Sequence, residues 1–191
     1  MPKKKHNMVG GGALTNEHGL LYEQYTDLEE ALKEAGFDLQ AHRACQEVFD
    51  GLHKVGLVTK KYDFYKIFDH LNNDQWKKYI SKRLLPDDVF VNLNTKTVFI
   101  IEKKYQMGAG SVDEKLQTVD FKIKEYKKML PDWAVKFFYI LNDFFKQDVY
   151  RDVFEYIKSV GGDYYFNTLP LEDLGLDLDD EWHPRIVEWK I

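Results

Sequence analysis

One carboxylate and two amines crowd the end of one apolar stretch of this 191-residue chain. The run Thr97-Val-Phe-Ile-Ile is β-branched and aromatic without a breaker, so it reads as a buried central strand that acquires charge only at Glu102-Lys103-Lys104. Side chains alternate between the faces of a strand, which puts Glu102 and Lys104 on one face and Lys103 on the other. Upstream, Pro86-Asp87-Asp88-Val-Phe-Val-Asn92 reads as a strand entered through a proline, and the turn formers from Asn92 to Lys96 join the two strands as a hairpin. The hairpin returns Asp87 or Asp88 to Glu102, and the sequence does not choose between them. Two carboxylates on adjacent strands suit Mg²⁺, which takes one or two carboxylates and leaves its other positions to water and phosphate. A lysine beside them can orient or deprotonate an attacking water and offset charge growing on a phosphate. A merely structural pair of Glu102 with Lys104 would carry a high desolvation cost for little stability, which favours a chemical role.

The proline before Asp87, the 15 positions from Asp87 to Glu102, and Glu102-x-Lys104 closing an apolar strand together resemble the PD-(D/E)XK nuclease superfamily. The continuation Glu102-Lys-Lys-Tyr-Gln106, followed by Gly110-Ser-Val-Asp-Glu-Lys115, looks most like its type II restriction endonucleases. The resemblance implies site-specific hydrolysis of phosphodiester bonds in double-stranded DNA with Mg²⁺, for which Mn²⁺ can substitute, and no nucleotide cofactor. It assigns Asp87 (with Asp88 as the fallback), Glu102 and the backbone carbonyl of Lys103 to the metal and Lys104 to the water. Gln106, on the Glu102 face, is placed to bond the phosphate or orient the site. Gly19-Leu-Leu-Tyr-Glu23 looks like the segment whose glutamate approaches the metal from the first helix, while a solvated Glu23 is the competing reading. The resemblance also implies an α/β fold with an αβββαβ core, a mixed central sheet flanked by helices. Palindromic sites favour a twofold homodimer. Two further functions stay open: a repair or structure-selective nuclease of the same superfamily, and a catalytically silent DNA- or protein-binding module on a degenerate core.

Other elements must hold this hairpin. Residues 1–13, with Lys3 to Lys5 and a glycine run, read as a flexible arm. A helix from Asn16, with Thr15 as N-cap, carries Leu21, Tyr25, Leu28, Leu32 and Ala35 as its apolar stripe and closes at Gly36. Residues 37–83 look mostly helical, with breaks at Gly51, Gly56 and Asn72-Asn73, and fit a helical insertion. There Lys60, Lys61, Lys66, Lys77, Lys78, Lys82 and Arg83 interleave with Tyr62, Tyr65, Trp76 and Tyr79, as either a solvated face or a DNA-backbone surface. After the loop from Met107 to Ser111 the spacing predicts a long helix from Val112 to Met129, with Leu116, Val119, Ile123, Tyr126 and Leu130 facing the core. Lys115, Gln117, Lys122, Lys124 and Lys128 lie off that stripe. Of these, Lys115, Gln117 and Lys122, with Gln106 and Ser111, are the candidates to meet DNA. A strand at Ala134–Leu141, a helix over Asp148 to Ser159 ended by Gly161-Gly162, and a short strand at Tyr164 to Phe166 follow. Residues 171–191 read as an acidic cap packed down by Trp182 and Trp189. The first strand of the αβββαβ order has no clear place.

Length, 44% hydrophobic and 15% aromatic content fit a single packed domain over residues 1–191. A formal charge of −5 argues against whole-chain basicity, so any nucleic-acid contact must be local. The one cysteine, Cys45, excludes an intrachain disulfide and a multi-cysteine zinc motif, and beside Val48 and Phe49 on an expected helix it reads as a small buried apolar residue. No apolar run approaches the roughly 20 residues of a membrane span, and no apolar segment follows Met1-Pro-Lys-Lys-Lys, so a cytoplasmic protein without membrane contact is expected. The six histidines lack HxxxH or HExxH spacing and read as surface or core residues. There is no P-loop, GxGxxG or Gly-x-Ser-x-Gly elbow.

Overall fold

A seven-stranded mixed sheet organises the chain, and each strand hydrogen-bonds to the next in sequence. The computed structural model describes residues 11–71, 75–108, 112–176 and 178; Ser111, Trp182 and Trp189, most of the basic arm, and the cap beyond Leu178 lie outside the described residues. Strands β1 (Asp38–His42), β2 (Cys45–Asp50), β3 (His53–Thr59), β4 (Asp88–Asn92) and β5 (Thr97–Lys104) pair antiparallel in succession. Strands β6 (Ala134–Leu141) and β7 (Gly162–Phe166) extend the sheet in parallel. Parallel neighbours need a crossover. Helices α4 (Val112–Leu116) and α5 (Val119–Met129) supply the first, and α6 (Arg151–Ser159) the second. Helices α1 (Gly11–Tyr25) and α2 (Leu28–Glu34) precede the sheet, and α3 (Ile67–His70) lies between β3 and β4.

The molecule is therefore α/β, with apolar layers on both faces of the sheet. Val98 and Ile100 of β5 join Val89, Val91, Phe137 and Tyr139 beneath the Leu116, Val119, Ile123, Tyr126 stripe and beneath Phe154 and Ile157 of α6. Phe99 and Ile101 turn to the other face, where Phe90, Phe138 and Ile140 pack on Tyr22, Leu28 and Leu32 and on the turn Leu171–Leu174. The β4–β5 turn is closed by Asn92, whose Oδ1 accepts from the amides of Asn94 and Thr95 at 3.0 Å. Its Nδ2 donates to the carbonyls of Leu174 and Gly175, tying the C-terminal turn to the central hairpin.

Three sequence expectations need correction. The segment 37–83 is not a helical insertion: its first half is the β1–β2–β3 meander, and short helical turns begin only at Lys61. The polar edge strand β1 has no apolar alternation, and the two glycines misled by meaning different things. Gly51 takes φ 56° in the β2–β3 turn, whereas Gly56 lies inside β3, where a Cβ would stand 2.5 Å from the Phe90 ring and 2.7 Å from the Val91 carbonyl oxygen. Cys45 accordingly opens a strand, though it is buried as expected. Second, the first helix breaks at Asp27, which is extended and caps α2 by accepting from the amides of Glu29 and Glu30. Tyr22 then replaces the exposed Leu21 and Tyr25 on the buried face. Third, the helix after the loop breaks at Gln117-Thr118, so Lys115 and Lys122 belong to different helices although the apolar stripe is buried throughout.

Candidate active site

Asp88 pairs with Ile101 across the β4–β5 ladder, so continuing the register by one residue sets Asp87 opposite Glu102. Residues opposite one another share a face of the sheet. That resolves the choice between the two aspartates. Asp87 joins Glu102 and Lys104 on the α5 side; Asp88 turns to the other face, where its Oδ2 lies 2.5 Å from Lys103 Nζ with both side chains almost fully buried.

Lys104 Nζ is the centre of the cluster. It lies 2.8 Å from Glu102 Oε2, 2.9 Å from the Lys103 carbonyl oxygen and 3.6 Å from Asp87 Oδ2. The lysine ammonium thus stands where three hard oxygens converge. The same Asp87 Oδ2 accepts from the Lys103 amide at 2.7 Å, fixing the carboxylate to the strand end. Two more ammoniums flank the cluster: Lys61 pairs with Asp87 Oδ1, and Lys122 lies 2.9 Å from Glu102 Oε2. Glu23 reaches the cluster through Lys61, at 3.6 Å, while its backbone carbonyl accepts from Lys103 Nζ. Below the site the Tyr126 hydroxyl is fully buried and without a hydrogen-bond partner among the described residues.

The charges hold one another. Burial works to raise the Asp87 carboxyl, but Lys104, Lys61 and the Lys103 amide outweigh it and keep the group below the usual carboxylate range. Burial disfavours the Lys104 ammonium, yet Glu102 and Asp87 overcome this and push it up. For Lys122 burial wins over Glu102, with Lys104 adding repulsion, and the amine is pulled down. On the opposite face burial pushes the Asp88 carboxyl up against the pull of Lys103. Tyr126 is pushed up by burial and then by Glu102.

The remaining candidates separate. Gln106 is buried; its backbone N–H donates to Asn142 Oδ1 at 3.1 Å, its carbonyl accepts from Asn142 Nδ2 at 2.9 Å, and its side chain donates to the Gly108 carbonyl. It braces the loop after β5. Lys115 and Gln117 are exposed. Of the basic and aromatic run, Lys61 enters the site, whereas Arg83 covers Tyr65 and Trp76, Lys60 pairs with Asp27 and Glu29, and Lys66 pairs with Asp63. Sequence spacing did not single out Lys61 as a neighbour of Asp87, Lys122 as a partner of Glu102, or Tyr126 beneath them. Lys61 comes to Asp87 because it turns at φ 51° two residues after the end of β3 and donates its amide to the Pro86 carbonyl at 2.8 Å. An open cleft of 430 Å³ beside α6 and β7, lined by Lys146, Arg151, Phe154, Lys158 and Tyr164 among others, contains none of the candidate residues.

These groups define an α/β protein with a lysine-flanked dicarboxylate at the end of its central strand. In comparison with known proteins, no family model matches the chain, and no curated protein or solved structure is significantly similar to it.

Proposed function

We propose that the chain is a Mg²⁺-dependent endonuclease hydrolysing phosphodiester bonds of double-stranded DNA, in the manner of a type II restriction enzyme. The observation that carries this is the convergence of Asp87, Glu102 and the Lys103 carbonyl on a single cationic nitrogen. The donor set fits Mg²⁺ or Mn²⁺, since every donor is a hard oxygen and neither sulfur nor imidazole is among them. With β1 and β2 added at the sheet edge and α3 set between β3 and β4, the antiparallel β3–β4–β5 followed by helices and parallel β6 supports a PD-(D/E)XK-type core. Asp87, Glu102 and the Lys103 carbonyl would hold the ion, which when bound acidifies its water and neutralises phosphate charge. Lys104, yielding that position, stays on the same strand end, where its ammonium would orient the attacking water. Lys61 and Lys122 offset the negative charge that builds on the phosphate. A twofold dimer would present two such sites to the two strands of a palindrome.

A second reading has its own support. Lys61, Lys104 and Lys122 balance Asp87, Glu102 and Glu23 without any metal, as a silent binding module on the same core would need. Plasmid DNA incubated with the purified chain decides between them. Nicking or linearisation with Mg²⁺, its loss with EDTA, and its loss in Glu102→Ala and Lys104→Ala are expected. Cutting by these variants at the wild-type rate, or none by the wild type with Mg²⁺ or Mn²⁺ on a substrate pool rich in sequence, would reject the nuclease.

A further inference from the structure

The β1–β2 hairpin gathers a second set of donors of quite different chemistry. His42 and Cys45 are paired across the hairpin, and Glu47 follows Cys45 by two, so the three share one face of the strands. His70, the last residue of α3, lies over that face. Its ring stands 5.1 Å from that of His42, edge to face, and its Nε2 lies 3.6 Å from Cys45 Sγ. One ligand atom each from His42, Glu47 and His70 falls within 4.8 Å of the others. Lys54 engages Glu47 Oε1, leaving the second carboxylate oxygen for another partner.

We infer that His42, Cys45, Glu47 and His70 form a binding site for Zn²⁺, separate from the dicarboxylate. Imidazole, thiolate and carboxylate are the ligands zinc takes, and four of them complete a closed tetrahedral structural site. Zinc bonds of about 2.0–2.3 Å set tetrahedral donors roughly 3.3–3.8 Å apart, a separation that Cys45 and His70 already have. His42 is exposed and Glu47 and His70 are half-buried, so their side chains can close the remaining distance without disturbing the core. Binding deprotonates the Cys45 thiol, whose proton leaves to solvent. Zn²⁺ then pins the turn between β1 and β2 to α3. The segment leading from β3 into α3 begins with Lys61, so the site steadies the backbone that presents this ammonium to Asp87. Mg²⁺ does not compete for a site of nitrogen and sulfur.

The test uses the full chain freed of metal with a chelator and titrated with Co²⁺ alone, then with Zn²⁺ alone. One equivalent of Co²⁺ is expected to give the intense visible spectrum of tetrahedral coordination with a thiolate charge-transfer band, and Zn²⁺ is expected to bleach it and raise the thermal midpoint. His42→Ala, at an exposed position, and His70→Ala are expected to lose the spectrum and the thermal shift; Cys45→Ser is expected to lose the thiolate band. The Asp87→Asn/Glu102→Gln double variant is expected to keep all three. Absence of the tetrahedral spectrum from the wild type would overturn the assignment, as would its persistence in both histidine variants. Neither result bears on DNA cleavage.

Discussion

Asp88→Asn separates the two faces of the strand end. Asp88 is 1% exposed and Lys103 6%, and their charged atoms are 2.5 Å apart. Removing one partner of such a pair leaves a buried charge uncompensated, at a cost of about 3–5 kcal/mol. Asparagine keeps an oxygen that can accept from Lys103 Nζ, and Nζ retains the Glu23 carbonyl at 3.2 Å, so the lower figure applies, about 3 kcal/mol. With a urea slope of about 2 kcal/mol per M, the unfolding midpoint falls by roughly 1.5 M. The Asp88→Leu/Lys103→Met pair recovers most of the loss, because apolar residues of similar volume replace a buried ion pair at little cost. Mg²⁺ binding, followed by calorimetry, is expected to be unchanged in Asp88→Asn and lost in Asp87→Asn. The reasoning is refuted if Asp88→Asn leaves the midpoint unmoved and removes ion binding, for then Asp88 and not Asp87 shares the face of Glu102.

Three further outcomes follow from particular contacts. Gly56→Ala forces a Cβ against Phe90 and the Val91 carbonyl and is expected to cost about 1–3 kcal/mol, measured as a lowered thermal midpoint. Asp27→Ala removes the α2 cap at a cost of about 1 kcal/mol. Burial opposes ionisation of Asp27, but Lys60 and the capping amides outweigh it and hold the carboxyl low; its contribution is therefore present above about pH 4 and fades as pH falls through the depressed folded value, so the Asp27→Ala deficit shrinks in acid. In DNA binding measured with Ca²⁺ in place of Mg²⁺, the exposed Lys115 is expected to contribute through phosphate, and Lys115→Ala to reduce the slope of log affinity against log salt by about one; an unchanged slope places that helix in solvent.

The central hairpin was legible because its information is local. The period of two put Glu102 and Lys104 together and Lys103 apart, and the turn formers after Asn92 closed the strands in the register that opposes Asp87 to Glu102. Which aspartate faced Glu102 needed that register, which neither carboxylate's own spacing encodes. The β1–β3 meander was hidden by its polar edge strand and by Gly56, a glycine demanded by the ring of Phe90 in the neighbouring strand. Lys61, Lys122 and the pairing of His42 with His70 were hidden for the same reason. Each depends on a contact between segments far apart in sequence, while local spacing placed Lys122 off the apolar stripe as a candidate to meet DNA and not as a partner of Glu102.

The most direct test of the proposed metal site is crystallographic: crystals of the chain soaked in Mn²⁺, with anomalous differences recorded at a wavelength where manganese scatters. A peak is expected among the Asp87 and Glu102 carboxylates and the Lys103 carbonyl, with the Lys104 ammonium withdrawn from that position. If Lys104 Nζ remains between those oxygens and no peak appears beside them, the cluster is an ion-pair network and the proposed hydrolase is contradicted.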